Sequence, residues 1–288
     1  MYKIAILGCE NSHANNFLDA VINGKIVEDV EFVGVYSDNK EAAEKLQEKF
    51  GVAVAERYDE FVGKVDGIII TARHGDNHYK YAKPYIASGI PMFIDKPITC
   101  TEEDAKAFME ELKANNVPIA GGSVCVLTDW VQKLRKDVKE EAYGKVLGGY
   151  LRAPLVTWEE YGGFFFYSQH LVQVMTEIFG SGPEAVRATK KNNTYNCLVR
   201  YPEYDVNINF VEGNHFYYAG INCENNFIGD AYNLDNCFEK EFMTFYDLLY
   251  GKPQRKSYKE FFAPVYIMNA IDRAVKSGEE EVIYLRDH

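Results

Sequence analysis

The chain has 288 residues, 47% of them hydrophobic and 26% charged, which is enough for two domains with their own cores and lacks the bias of a disordered chain. A formal net charge of −12 repels nucleic acid and anionic lipid and favours a small-molecule partner. No stretch approaches the roughly 20 apolar residues that span a bilayer, and the cysteines at 9, 100, 125, 197, 223 and 237 form no Cys-x-x-Cys pair. We therefore expect a soluble cytoplasmic protein with reduced thiols, no membrane segment and no zinc or disulfide framework.

Through the first 120 or so positions, short β-rich runs alternate with amphipathic helices, the pattern of βαβ units around a parallel sheet. Lys3 to Leu7 is predicted as the first strand, a helix starts near Ser12, and Glu31 to Tyr36 is the second strand. Asn39 to Phe50 is helical with Gly51 in the C′ position. Asp66 to Thr71 is apolar enough to be buried on both faces, His78 to Ala87 is the next helix, and Pro91 to Ile94 the next strand. Thr101 caps a helix that opens with acids and closes at Asn115-Asn116, before a strand over Val117 to Gly121. These runs predict a doubly wound domain over residues 1–121, expected to have six strands.

From Gly122 on, strand-like segments follow one another: Val146 to Arg152, Ala185 to Lys190, Cys197 to Tyr201, Val206 to Val211, Phe216 to Ile221 and Asn226 to Gly229. Helices are expected over Asp129 to Val138, Tyr167 to Phe179, Phe238 to Tyr250 and Tyr258 to Val275. The fold class is thus α/β, with an α+β domain over 122–288 built on a mostly antiparallel open sheet.

The most informative local feature is Asp95-Lys96-Pro97. It places an amine at the carboxyl end of a predicted buried strand, where open α/β sheets hold ligands. A lysine there can donate to a substrate hydroxyl or, desolvated beside another cation, act as a base. The ordinary alternative is a surface lysine in a turn.

Asp95-Lys96-Pro97, the run Ile68 to Thr71 followed by His78, Gly162-Gly163 followed by His170, and the closing Phe238, Phe242, Phe245, Gly251-Lys-Pro253, Ala270 and Ser277-Gly278 together resemble the Gfo/Idh/MocA family of NAD(P)-dependent oxidoreductases. Ala72 stands where that family usually has proline. The resemblance implies hydride transfer between NAD(P) and a sugar, cyclitol or related polyol. Lys96 and His170 would be its catalytic groups, and Gly8, Asn11, Ser12, Ser37, Asp38, Thr71, His74, His78, Asp95 and Lys96 its cofactor contacts.

Two departures stand out. A dinucleotide loop usually has Gly-x-Gly-x-x-Gly after the first strand, whereas this one is Gly8-Cys-Glu-Asn-Ser-His13. Only the turn glycine is kept, and Glu10 puts a carboxylate near two phosphate charges unless it turns outward. Asn11 and Ser12 can still cap the helix, whose free N–H groups suit an anion. The second departure is Phe166, where the family usually has an aspartate one turn before its histidine. Tyr167 is the candidate third catalytic residue and, like Tyr161, could supply only part of the lost hydrogen bonding.

Asp38, ending the second strand, suits an adenosine ribose and repels a 2′-phosphate, which leans toward NAD over NADP; alternatively it caps the following helix. His74 and His78 are spaced i, i+4, but no carboxylate or cysteine completes a metal set at usable spacing, so no metal is expected and His78 is read as a loop brace. His170 could instead be a core histidine satisfied by backbone. The aromatic run Phe164 to Tyr167 and the pair Tyr217-Tyr218 could stack on a sugar ring, or form core or a homo-oligomer interface. A homodimer or homotetramer through the second sheet is expected. The competing class is a non-catalytic ligand sensor that kept the fold and lost the cofactor loop, motivated by Glu10 and Phe166.

Overall fold

A computed structural model describes residues 1–235 and 237–284. The described chain divides into two compact units, the first comprising Met1–Gly122 and Phe238–Tyr258, the second Ser123–Cys237 and the residues from Lys259 on.

In the first unit the chain runs β1 (Tyr2–Leu7), α1 (Ser12–Leu18) continuing as a π-helical turn (Asp19–Asn23), β2 (Val30–Tyr36), α2 (Lys40–Phe50), β3 (Gly67–Ile70), α3 (Asp76–Ile86), β4 (Met92–Asp95), α4 (Glu102–Ala114) and β5 (Ile119–Gly122). The strands form a five-stranded sheet in the order β2-β1-β3-β4-β5, with every pairing parallel. β3 and β4 are buried throughout, as runs covered on both faces should be. The sixth strand expected from the sequence is absent: beyond β2 only a single parallel bridge, Val35 to Val54, extends the sheet. The helix caps follow the sequence closely. Asn39 accepts from the Ala42 amide, Thr101 from the Asp104 amide, and Gly51 ends α2 at φ 73°.

The strand order reverses direction between β1 and β3, so the crevice at their carboxyl ends is the topological switch point of the sheet. Gly8 makes the turn there at φ 74°, and a Cβ on it would lie 2.5 Å from the Ala72 backbone. Gly8→Ala is therefore expected to destabilise the unit by about 1–3 kcal/mol from backbone strain alone, with the clash in addition. A shift of the denaturant midpoint checks this.

The second unit contains α5 (Asp129–Lys139), β6 (Val146–Pro154), α6 (Phe164–Phe179), β7 (Ala185–Lys191), β8 (Thr194–Arg200), β9 (Asp205–Val211), β10 (Tyr217–Cys223) and β11 (Phe227–Tyr232). Next comes α7 (Cys237–Leu249), then α8 (Tyr258–Ser277) and β12 (Glu280–Val282). Its seven-stranded sheet has the order β11-β10-β6-β9-β8-β7-β12, antiparallel except for the β6–β9 pair. Tyr195, Cys197 and Val199 of β8 and Val206, Ile208 and Phe210 of β9 are buried, while Asn196 and Asn207 between them are exposed. That period of two covers one face with helices and leaves the other polar.

Two expectations need correction. The domain boundary is not a single cut after Gly121, because the segment Phe238–Tyr258 returns to the first unit. Its physical cause is α7, whose Phe242 and Phe245 are fully buried in the cluster of Ile4, Phe17, Ile69 and Phe93. Helix α6 also begins at Phe164 rather than Tyr167, entered through Gly163 at φ 59°, which moves His170 from the first helical turn to the second.

Candidate active site

At the rim of the first sheet, the amides of Gly8 and Cys9 both donate to the Tyr36 carbonyl, at 2.7 and 3.1 Å. The Gly8 carbonyl accepts the Thr71 hydroxyl at 3.0 Å. Thr71, predicted as a cofactor contact, is fully buried and pins the glycine turn to β3. Asn11 is the N-cap of α1, and its Nδ2 donates to Asp95 Oδ2 at 3.0 Å. Ser12 is the first helical residue rather than a cap, with its exposed hydroxyl turned to Asn11 Oδ1 at 3.3 Å.

Glu10 spans this rim. One carboxylate oxygen accepts the Ser37 hydroxyl at 2.6 Å and the other the Arg73 amide at 3.0 Å. These partners lie at the ends of β2 and β3, so the acid reaches across the end of β1 to both flanks. Ser37 is buried and engaged by Glu10 and by the Asn39 amide. Asp38 accepts the Tyr36 hydroxyl, and the Tyr81 hydroxyl at 2.7 Å, with the Lys80 ammonium 3.7 Å away. Those contacts, the Tyr36 bond foremost, hold its carboxyl below its ordinary range, yet its side chain is still 57% exposed. Asn39, not Asp38, caps the next helix.

His78 is fully buried with Nε2 2.8 Å from the Ala72 carbonyl, so it braces the loop after β3, and burial lowers its pKa. His74 sits just before α3 and accepts the Asp76 amide at 3.3 Å. Contrary to the spacing argument, Asp76 and Cys100 do come close to His74, with potential ligand atoms of the three all within 4.8 Å. The carboxylate is neighbouring in sequence and the thiol arrives from the loop after β4.

Lys96 follows β4 directly and is only 4% exposed, so it is no surface lysine. Its amide donates to Asp95 Oδ1 at 2.7 Å, and the peptide bond to Pro97 is cis. Beside it lies a group the sequence reading missed. His13 Nδ1 is 3.1 Å from Asp95 Oδ2 and 3.4 Å from Glu241 Oε2, with all three residues buried. Burial would lower the His13 pKa, but the two carboxyls outweigh it and leave it raised. Burial likewise pushes Asp95 up, and His13 and Lys96 overcome that and hold it down. Glu241 is pushed up to about 8 by burial.

In the second unit His170 is 4% exposed, with Nδ1 2.7 Å from Ser123 Oγ and 3.5 Å from Cys125 Sγ. Ser123 Oγ already accepts the Cys125 amide at 3.2 Å. A hydroxyl can accept twice as well as donate once, so this contact holds the ring by Nδ1 in either tautomer. Gln173, one helical turn beyond His170, fixes the serine by accepting its amide at 2.7 Å. His170 Nδ1 thus meets Ser123, a residue that no helical spacing from His170 could suggest. Phe166 stacks on Trp158 at 5.5 Å and packs on Tyr161 at 5.1 Å. Tyr167 meets the His170 ring edge-on at 4.8 Å, and its hydroxyl accepts from Tyr217 at 2.7 Å. Phe164 stacks on Tyr195 at 4.3 Å as core. All six cysteines are buried thiols outside any disulfide. Among the described residues no helix is long and apolar enough to cross a membrane.

Fold and rim define a Rossmann-type unit joined to an α+β unit. Residues 2–122 match the Gfo/Idh/MocA family, described as an oxidoreductase family with an NAD-binding Rossmann fold. An uncharacterised oxidoreductase of Streptococcus pneumoniae is 26% identical over 163 residues, covering 52% of this chain and 44% of the relative. The chain thus matches less than half the length of that curated relative. Among solved structures, myo-inositol 2-dehydrogenase from Lactobacillus plantarum superposes with a TM-score of 0.84 at 15% identity, covering 98% of this chain and 99% of the other. Scyllo-inositol dehydrogenase from Lactobacillus casei, solved with NAD(H) and scyllo-inositol, gives 0.83 at 13% identity over 98% and 99%. Such distant likenesses establish the fold.

Proposed function

We propose that the protein is a cytoplasmic NAD-dependent dehydrogenase that exchanges hydride with the CH–OH group of a sugar, cyclitol or related polyol. The observation that carries this reading is the buried lysine at the carboxyl end of β4, on a unit of an NAD-binding oxidoreductase family. The rim fits a dinucleotide at the Gly8 turn, the Asn11-capped helix and the exposed Asp38 carboxylate, and resists it at Glu10. Asp38 and Glu10 are both anionic, so an added 2′-phosphate is disfavoured and NAD preferred over NADP. When bound, the nicotinamide supplies the hydride acceptor. Lys96 binds the substrate hydroxyl and takes its proton, and His170, held at Nδ1 by Ser123, offers its other ring nitrogen to the substrate. Tyr167 positions the His170 ring. Self-association through the polar face of the second sheet, around Tyr150, Tyr218, Asn196 and Asn209, completes the reading; light scattering tests it.

Calorimetric titration with NADH tests the central claim: saturable binding is expected, and a concentration of 100 Kd should stabilise the protein by about 2.7 kcal/mol. No binding at millimolar dinucleotide would leave the second reading, a non-catalytic ligand sensor, which the Glu10 bonds to Ser37 and Arg73 favour.

Ser123→Ala is expected to lower kcat about 10–100-fold, with KM little changed and the pH profile of kcat displaced, because the imidazole loses the hydroxyl that holds its Nδ1. A merely structural serine would lower the melting temperature and leave that profile in place.

A further inference from the structure

Glu241 is the most anomalous side chain in the first unit. It is 1% exposed on α7, and neither carboxylate oxygen has a hydrogen-bond partner. An ionised carboxylate left so costs several kcal/mol, which native folds rarely tolerate without a compensating cation. Lys96 acts on it electrostatically but gives it no hydrogen bond.

The neighbouring imidazole points to what compensates. His13 Nδ1 lies 3.1 Å from Asp95 Oδ2 and 3.4 Å from Glu241 Oε2, yet it is aligned with neither as a hydrogen-bond donor. The two separations instead match the spacing of donors around a small tetrahedral cation: ligands about 2.0–2.1 Å from zinc stand about 3.3 Å apart. The three donor atoms lie within 4.8 Å of one another, with all three residues buried. Asn11 Nδ2 donates to the same Asp95 oxygen, the outer support that metal-bound carboxylates commonly receive.

We propose that His13, Asp95 and Glu241 form a binding site for one divalent cation of the zinc type, held by His13 Nδ1 and one oxygen from each carboxylate, with a fourth position for water. One imidazole and two carboxylates suit such an ion, and its two charges balance the two acids with the histidine neutral. The ion fastens α7 to the end of β4 and the start of α1. Through Asp95, whose other oxygen accepts the Lys96 amide, it also fixes the backbone of the candidate base.

The test uses the whole chain, stripped with a chelator and titrated with Zn2+ by calorimetry, with the metal content measured by elemental analysis. One equivalent per chain is expected, lost or weakened at least about tenfold in both Glu241→Gln and His13→Gln and retained in His74→Ala, which disrupts the other histidine–carboxylate–thiol group. A melting series gives a second readout that guards against misfolding of a variant. Without metal, at a pH above about 8 where the Glu241 carboxyl ionises, Glu241→Gln should melt higher than the wild type, because a buried unpartnered charge becomes neutral. Zn2+ should then raise the wild type alone. No saturable uptake by the wild type, uptake unchanged in Glu241→Gln, or an equal melting response of both proteins would overturn the site.

Discussion

Lys96→Met is expected to lower kcat for oxidation of a polyol substrate by roughly 10²–10⁴-fold, with a much smaller effect on melting. Methionine keeps most of the apolar stem that fills the site and removes the only atom able to exchange a proton. A charge at 4% exposure must have either a partner or a task, and the position at the carboxyl end of β4 is where parallel sheets place their ligands. Steady-state rates beside thermal melts separate the two cases. Full activity with a lowered melting point would mark Lys96 as a structural cation and remove the dehydrogenase reading with it.

Glu10→Gly should tighten NADH binding by tenfold or more. Two unit charges about 4 Å apart repel by about 4 kcal/mol at intermediate dielectric. Glu10 is only half-buried and its charge is shared with the Ser37 hydroxyl and the Arg73 amide, so solvent and salt take back a large part. A residual 1.4 kcal/mol is still tenfold. The gain should shrink as salt is raised, and Glu10→Gln should show most of it while keeping the side chain's bulk. Weaker binding in both variants would mean that the acid itself contacts the ligand. The glycine variant should also lose some stability, because it unties β2 from the loop after β3.

The fold was legible because its signals are local. Apolar runs such as Ile68 to Ile70 and helix ends such as Thr101 and Gly51 act within a few residues, and the strands and helices fall within a few positions of the sequence reading. Lys96 was legible for the same reason, as a charged residue at the end of a buried strand. The rest depended on partners distant in the chain. Ser123 meets His170 across 47 positions, and Glu241 comes to His13 from a helix assigned by sequence to the other domain. One signal was available and passed over. Phe238, Phe242 and Phe245 mark the apolar stripe of α7, and Glu241 lies in that stripe, an acid where the period demands a hydrophobe. The six-strand expectation failed for a different reason. The sequence offers five strand runs, all five of which form the sheet, and the count of six had no sixth run behind it.

The return of α7 to the first unit has a consequence for biosynthesis. Phe242 and Phe245 belong to that core, so it cannot close when Gly122 leaves the ribosome. It must wait for the segment ending at Tyr258, another 136 residues (258 − 122). At translation rates of about 5–20 residues per second that is roughly 7–27 s. During this interval the nascent half-domain presents a greasy seam around Phe17 and Phe93, a natural landing place for a chaperone.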